Sequence, residues 1–448
     1  MIKRKIDKRL EQFYASSNKA LLVTGARQIG KTYSVRQFGE AHFDSFVEIN
    51  FIDNRQYVEV FSTATSAQDL LLKLSTLTRK PLLPGKTLIF FDEVQECPDI
   101  VTMIKFLVDE GSYRYVLSGS LLGVYLNDLR SVPVGYMDVM DMYPMDLEEF
   151  ALAVGIPQNV LDKIGESYAD ATPVDDFLHK RMMEVFRLYL VVGGMPAAVQ
   201  KYLDTNNLQL VLEEQKGIVR MYHHDISKYD RDNKLYIAEI FDRIPAELNS
   251  KNKRFILKNL NENIKFARYE NSFLWLKDAG VALPTYNVEE PAVPLLLAST
   301  RNLFKLFLSD VGLLASLYAD GIQTSLLVGD ANINFGAIYE NVVAQELHAH
   351  GFPLYYYNNK RQGELDFIVE HHGRVLPIEV KSGKDYERHR ALANIMTSEA
   401  YDIEEALVLC NGNVQKKGGV TYLPIYMVMF LHRDESAPTH YVLDLSGL

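Results

Sequence analysis

The sequence predicts an α/β protein in three parts: a parallel sheet with crossover helices, a small helical segment, and a second α/β module. Three observations carry this. From Ala20 to about Lys201, short apolar runs (ALLVTG, FVEINF, TLIFFDE, YRYVLSG) bounded by turn residues alternate with segments of helical period. From about Asp204 to Ala298 the apolar spacing is helical almost throughout, until YENSFLWLKDAG runs into the strand-like VALPTYNV. From about Thr300 onward, a helix around Phe335 to His350 precedes two alternating strands, Leu365 to Glu370 and Val375 to Lys381.

The 448 residues allow two to four domains at roughly 150 residues each. A net charge of −11, from 47 basic and 58 acidic residues, excludes a chain coated in positive charge for indiscriminate nucleic-acid binding. Residues 206–300 carry 13 of each sign, so a local contact with DNA is permitted there without being demanded. Two cysteines, Cys97 and Cys410, cannot build a disulfide framework or a cysteine-rich zinc site. The opening MIKRKIDKRLEQF is too charged for a signal peptide, and no apolar run is long enough to span a membrane. The expectation is a soluble, cytoplasmic chain with no membrane partner.

The first chemical motif is Gly25-Ala26-Arg27-Gln28-Ile29-Gly30-Lys31-Thr32, which follows the strand ALLVT and opens a helical stretch. That is the spacing and the context of a P-loop. Gly25 and Gly30 let backbone N–H groups curl around phosphate oxygens, and the helix N-terminus adds partial positive charge. Lys31 is expected to bridge the β- and γ-phosphates of ATP, and Thr32 to ligate Mg²⁺.

A P-loop needs a second carboxylate for the metal and a group to orient water. The run TLIFFDE supplies both, with Asp92 placed for Mg²⁺ and Glu93 for the attacking water. The next strand ends in Ser118 and Ser120. Either hydroxyl is a candidate γ-phosphate sensor, and equally a cap for the following helix. Arg130 is the nearest candidate for an arginine finger in a homo-oligomer.

The segments GARQIGKT, LIFFDEVQ, YVLSGSLLG, MYPMDLEEF, YLVVGGMPAAVQ, FKLFLSDVGLL, YENVVAQEL, GELDFIV and PIEVKSG, in that order, resemble the prokaryotic AAA-type ATPases that carry a C-terminal DUF4143 domain. The resemblance covers nearly the whole chain. It implies an AAA-type P-loop ATPase domain over 1–205, a winged-helix-like domain over 206–300, and a PD-(D/E)XK (restriction-endonuclease-like) domain over 301–448. One departure is Val134-Gly135-Tyr136, where relatives often carry a basic residue.

The two alternating strands can be read by register. With a turn at His372-Gly373, Phe367 faces Ile378 and Val369 faces Leu376, which makes one face apolar, with Leu365 facing Val380 at its end. Asp366 then stands opposite Glu379 on the other face. Two like charges at that spacing ask for a proton or a cation between them, and a divalent metal answers that need. Lys381, two residues beyond Glu379, becomes a candidate to activate water. An exposed hairpin with ordinary salt bridges accounts for the same residues. In the resemblance Glu340 is the added acidic ligand, although Glu346 also borders an apolar stripe and spacing does not choose between them.

In NKRFILKNL, Lys251, Arg254 and Lys258 fall on one helix face suited to a phosphate backbone, or simply to solvent. Gly193-Gly194-Met195-Pro196 reads as a tight break near the nucleotide, with Pro196 starting the next helix. Three functions are thus in play: an ATPase that repositions its later domains, a metal-dependent nuclease acting on DNA or RNA, and a nucleotide-controlled protein-interaction switch with an idle nuclease-like scaffold.

Overall fold

The structure is a computed structural model describing residues 2–119, 135–229, 234–250, 253–256, 260, 266–318, 321–329 and 335–434. A helix over Lys5–Ser16 leads into β1 (Ala20–Thr24), β2 (Ser45–Asn50), β3 (Thr87–Asp92), β4 (Arg114–Ser118) and β5 (Met137–Asp141). These strands form one parallel sheet in the order β2-β3-β4-β1-β5. The continuous apolar runs have a simple cause. Leu21, Val23, Leu88 and Phe90 enter one core, while Ala20, Leu22, Ile89 and Phe91 enter the other, so both faces are covered. Being parallel, the strands send their carboxyl ends to one edge, where ligands of open α/β sheets bind.

Helices Asp176–Val192 and Pro196–Thr205 meet at a bend of 118°. Gly193 takes a φ of 72° there, and Pro196 opens the second helix. A Cβ on Gly194 would stand 2.0 Å from the carbonyl oxygen of Met145. The Gly194 N–H also donates to Asp310 Oδ2 at 2.6 Å. Pro196 Cγ lies 3.7 Å from where a Cβ on Gly30 would be, so the break sits beside the glycine loop and is clamped to Asp310 on its other side.

Helices Leu208–Tyr229, Lys234–Asn249 and Phe266–Asp278 precede β6 (Ala282–Val288) and β7 (Ser299–Leu308), an antiparallel pair. Next come β8 (Tyr355–Asn359), β9 (Gly363–His371), β10 (Arg374–Val380), β11 (Ala406–Cys410), β12 (Gln415–Lys417) and β13 (Val420–Pro424). All eight belong to one sheet, in the order β12-β13-β11-β10-β9-β8-β6-β7. This corrects the expected wing. A free hairpin would leave one edge of β6 unpaired, and here β8 pairs with it in parallel. A boundary after residue 300 would cut β7, and one apolar core runs from Leu10 through to Leu431.

The expected basic helix face also changes. Lys251 and Lys258 lie outside the described residues, and residues 253–256 are not helical. Arg254 turns its guanidinium toward Tyr356, 6.0 Å from the ring centroid. Cys97 and Cys410 are buried and free. Among the described residues no single helix is long and apolar enough to cross a membrane.

Two glycine replacements separate close approach from mere helix weakness. Gly194→Ala forces a methyl group into a backbone carbonyl and should lower unfolding stability by about 1–3 kcal/mol. Gly217→Ala, inside helix Leu208–Tyr229 and at least 3.8 Å from any neighbour, should raise it by roughly 0.5–1 kcal/mol. Urea titration of the two variants beside wild type checks both signs.

Candidate functional site

The glycine loop joins β1 to helix Lys31–His42, and its backbone explains the residue types. Gly25 has a φ of 137° and Gly30 one of 93°. A Cβ on Gly25 would stand 2.2 Å from the carbonyl oxygen of Met142. Gly30 takes the N-cap position without a capping side chain, which leaves the first N–H groups of the helix free of any side-chain cap. Lys31 is buried, and its Nζ donates to the carbonyls of Gly25 (2.9 Å) and Ala26 (2.7 Å). Burial pulls its pKa down to about 8, against the opposing pull of Glu93 and Asp92.

The end of β3 meets this loop. Thr32 Oγ1 donates to Asp92 Oδ2 at 3.0 Å, which brings together the two residues expected to hold Mg²⁺. Asn50 Nδ2 donates to the same oxygen at 3.1 Å, and the Ser118 hydroxyl donates to Oδ1. Burial raises the Asp92 pKa above the usual carboxylate range despite those donors. Glu93 sits in the left-handed region at φ 58°, a conformation that costs a non-glycine residue energy. Gln95 Nε2 donates to that carboxylate. Of the two candidate sensors, Ser118 touches Asp92, while Ser120, Arg130 and Val134 lie outside the described residues.

The residues around the loop were not legible as a site. Arg4, the residue before the first helix, donates from Nη1 to the Ile29 carbonyl (2.9 Å) and from Nη2 to the Tyr143 carbonyl (2.7 Å). Its Nε pairs with Glu149 at 3.0 Å, both side chains being more than nine-tenths buried. Asp146 and Glu149 form a capping box on helix Leu147–Ala153, and Lys5 Nζ pairs with Asp146 at 2.6 Å. The D-x-x-E spacing in MYPMDLEEF was the available signal. Asp225 also holds the loop, through Arg27 Nη1 at 2.5 Å.

The C-terminal carboxylates divide between two environments. Helix Gly336–Ala349 carries both candidates left open by spacing. Glu346 faces the ATPase-like part, accepting from the Leu147 N–H (2.9 Å) and the Tyr189 hydroxyl (3.2 Å). Glu340 faces the other way, toward Lys253, Lys305 and Asp366. The hairpin pairs as expected, Phe367 with Ile378 and Val369 with Leu376.

Two details of the hairpin differ. Tyr355 pairs with Ile368 and Tyr357 with Leu365, so Asp366 and Phe367 together oppose Tyr356 and the alternation breaks there. Leu365 consequently packs in a different core from Phe367. The ladder ends at Phe367, and Asp366 accepts from the Val380 N–H at 2.9 Å instead of pairing squarely with Glu379.

Glu379 is pushed up to about 8 by burial and by the Asp366 charge, and its Oε1 accepts from Lys381 at 2.5 Å. Lys305, wholly buried on β7, reaches Glu364 at 2.8 Å, Glu340 at 3.4 Å and Asp366 at 4.0 Å. Among the described residues, these carboxylates do not bring three ligand atoms within 4.8 Å of one another. The donor set as folded therefore does not fit the second divalent metal expected of Glu340, Asp366 and Glu379.

Comparison with known proteins finds three family models along the chain. An AAA domain model matches residues 17–151, a model of a domain of unknown function, DUF4143, matches 335–428, and a second domain of unknown function, DUF8612, matches 183–325. No curated protein matches the chain. Among solved structures, the Walker-type ATPase PABY2304 of Pyrococcus abyssi is 15% identical over 71% of this chain and 96% of its own, with a TM-score of 0.43. Cdc6p from Pyrobaculum aerophilum is 14% identical over 73% and 96%, with a TM-score of 0.27. The Aeropyrum pernix ORC1 protein, solved in complex with DNA, is 13% identical over 74% and 93%, at 0.26.

The buried acid at the junction generates a pH dependence. Glu346 is pushed up to about 7 by burial and by the neighbouring Asp146 charge, against the pull of His350 and Lys5. A carboxyl raised in the folded state stabilises fully below its unfolded value of 4.5 and loses that contribution as pH rises through 7. Glu346→Gln keeps an acceptor for the Leu147 N–H without the charge. Its unfolding free energy should exceed wild type at pH 8, by up to about 3 kcal/mol, and should vary less between pH 4.5 and 7. Denaturant unfolding across that range measures the difference.

Proposed function

We propose that this chain, an AAA domain joined to a DUF4143 domain, binds ATP with Mg²⁺ in its glycine loop, hydrolyses it, and passes the nucleotide state to the C-terminal module. One observation carries the reading: Thr32 and Asp92, sixty residues apart, meet at 3.0 Å directly beside a loop whose glycines and lysine suit phosphate.

The loop N–H groups and the start of helix Lys31–His42 bind phosphate oxygens. Lys31 exchanges the carbonyls of Gly25 and Ala26 for β- and γ-phosphate oxygens, whose charge favours its protonated form. Thr32 and Asp92 would hold Mg²⁺, with Asn50 and Ser118 fixing the Asp92 carboxylate. The ion, when bound, withdraws charge from the transferred phosphoryl group. Glu93, released from Gln95, orients the attacking water and accepts its proton on the carboxylate.

Transmission follows from who touches the loop. Arg4 bonds to Ile29 of the loop and to Glu149, and Asp146 and Leu147 lead from there to Glu346 of helix Gly336–Ala349. The Gly194 break touches Asp310 on one side and the Gly30 region on the other. A loop that shifts on binding phosphate therefore pulls on two buried polar contacts of the C-terminal module.

Lys31→Ala should lower ATP turnover by at least about 100-fold, measured as phosphate release. Glu93→Gln should keep nucleotide binding and lose about 10²–10³ in turnover. Equal turnover in either variant and wild type would remove the assignment. Arg4→Lys keeps the charge but not the three-way fork. In hydrogen exchange it should abolish any ATP-dependent change in helix Gly336–Ala349 while sparing the ATP-dependent protection of residues 25–32.

A further inference from the structure

The carboxylate cluster of the C-terminal module already contains a cation of its own. Lys305 comes from β7, outside the hairpin that supplies Asp366 and Glu379, and its side chain is fully shielded from water. Its Nζ lies 2.8 Å from Glu364, 3.4 Å from Glu340 and 4.0 Å from Asp366, and 5.1 Å over the ring of Tyr356. Burial by itself would discharge such a lysine, yet Glu340, Glu364 and Asp366 outweigh it and hold the ammonium above its ordinary pKa. Lys253 pairs with Glu340, and Lys381 with Glu379 at 2.5 Å.

Each carboxylate already has an ammonium partner on the chain: Glu340 has Lys253 and Lys305, Glu364 and Asp366 have Lys305, and Glu379 has Lys381. A divalent ion entering this arrangement would meet three ammonium groups at close range.

We propose that Lys305 is the resident cation of this cluster, its ammonium standing where a divalent metal would, so that the C-terminal module is a metal-independent scaffold that does not cleave nucleic acid. The lysine ties β7 to helix Gly336–Ala349 and β9, as a metal would tie them, but it supplies no activated water. Removing its charge leaves Glu364 and Asp366 without their ammonium partner and Glu340 with Lys253 alone, which opens the cluster to a cation.

The test counts Mn²⁺ bound per full-length chain by electron paramagnetic resonance, without nucleotide, in wild type, Asp366→Asn, Glu340→Gln, Lys305→Met and Lys305→Met/Asp366→Asn. Wild type, Asp366→Asn and Glu340→Gln are expected to bind equal numbers. Lys305→Met is expected to bind one more, lost again in the double variant, and to unfold at a higher temperature with Mn²⁺ than with EDTA. The proposal is overturned by a Mn²⁺ that wild type holds and either carboxylate variant loses, or by a folded Lys305→Met that gains none. Cleavage of single- or double-stranded DNA or RNA by wild type with Mg²⁺ or Mn²⁺, absent in Asp366→Asn, overturns it as well. The wild-type comparisons require no Lys305 variant to fold. None of these readouts involves the glycine loop, so the ATPase assignment and this one can fail separately.

Discussion

The buried ion pair between Arg4 and Glu149 is the constraint on which the arrangement of this molecule turns. Each group is nearly shut off from water, and each is the other's counter-charge there. Such a pair adds little net stability, because desolvation consumes most of the attraction, but breaking it strands a buried charge at a cost of about 3–5 kcal/mol. The pair therefore acts as a positional lock. The guanidinium's remaining donors grip the Ile29 and Tyr143 carbonyls, which places the first helix, the phosphate loop and the segment after β5 in one fixed relation.

From that lock a line of buried polar groups runs into the C-terminal module. Asp146 lies beside Lys5 and His350, which hold it well below the usual carboxylate range although burial works the other way. Glu346 takes the Leu147 N–H and the Tyr189 hydroxyl, and Gln345 donates to that hydroxyl at 2.8 Å. The ATPase-like part and the C-terminal module are thus joined by hydrogen bonds that have direction as well as by apolar packing. Directional bonds have few alternative arrangements, which is what a switch between discrete states needs.

Two charged sites in the molecule use lysine in opposite ways. Lys31 is buried among loop carbonyls, with its pKa drawn down, and in the proposed function receives negative charge from a ligand. Lys305 is buried among carboxylates already on the chain, with its pKa drawn up, and has its negative charge in place. The same side chain is receptive in the first case and satisfied in the second. The difference lies in whether the atoms that accept from the ammonium belong to neutral dipoles or to full charges.

The amino-acid sequence by itself determined what is local. The phosphate loop was legible because its eight residues are contiguous and the strand before it and helix after it follow from period alone. The β9–β10 register was legible for the same reason, since alternation leaves one way to bury Phe367, Val369 and Ile378 together. The wing was misread because a hairpin's sequence does not say which strand will cover its outer edge. Tertiary structure alone decided which buried charges meet. Arg4 and Glu149 are 145 residues apart and Lys305 and Glu340 are 35 apart, and no periodicity links them. A lone lysine or glutamate reads as a solvated group until the chain folds around it, and only then does the loss of water oblige each charge to find its partner.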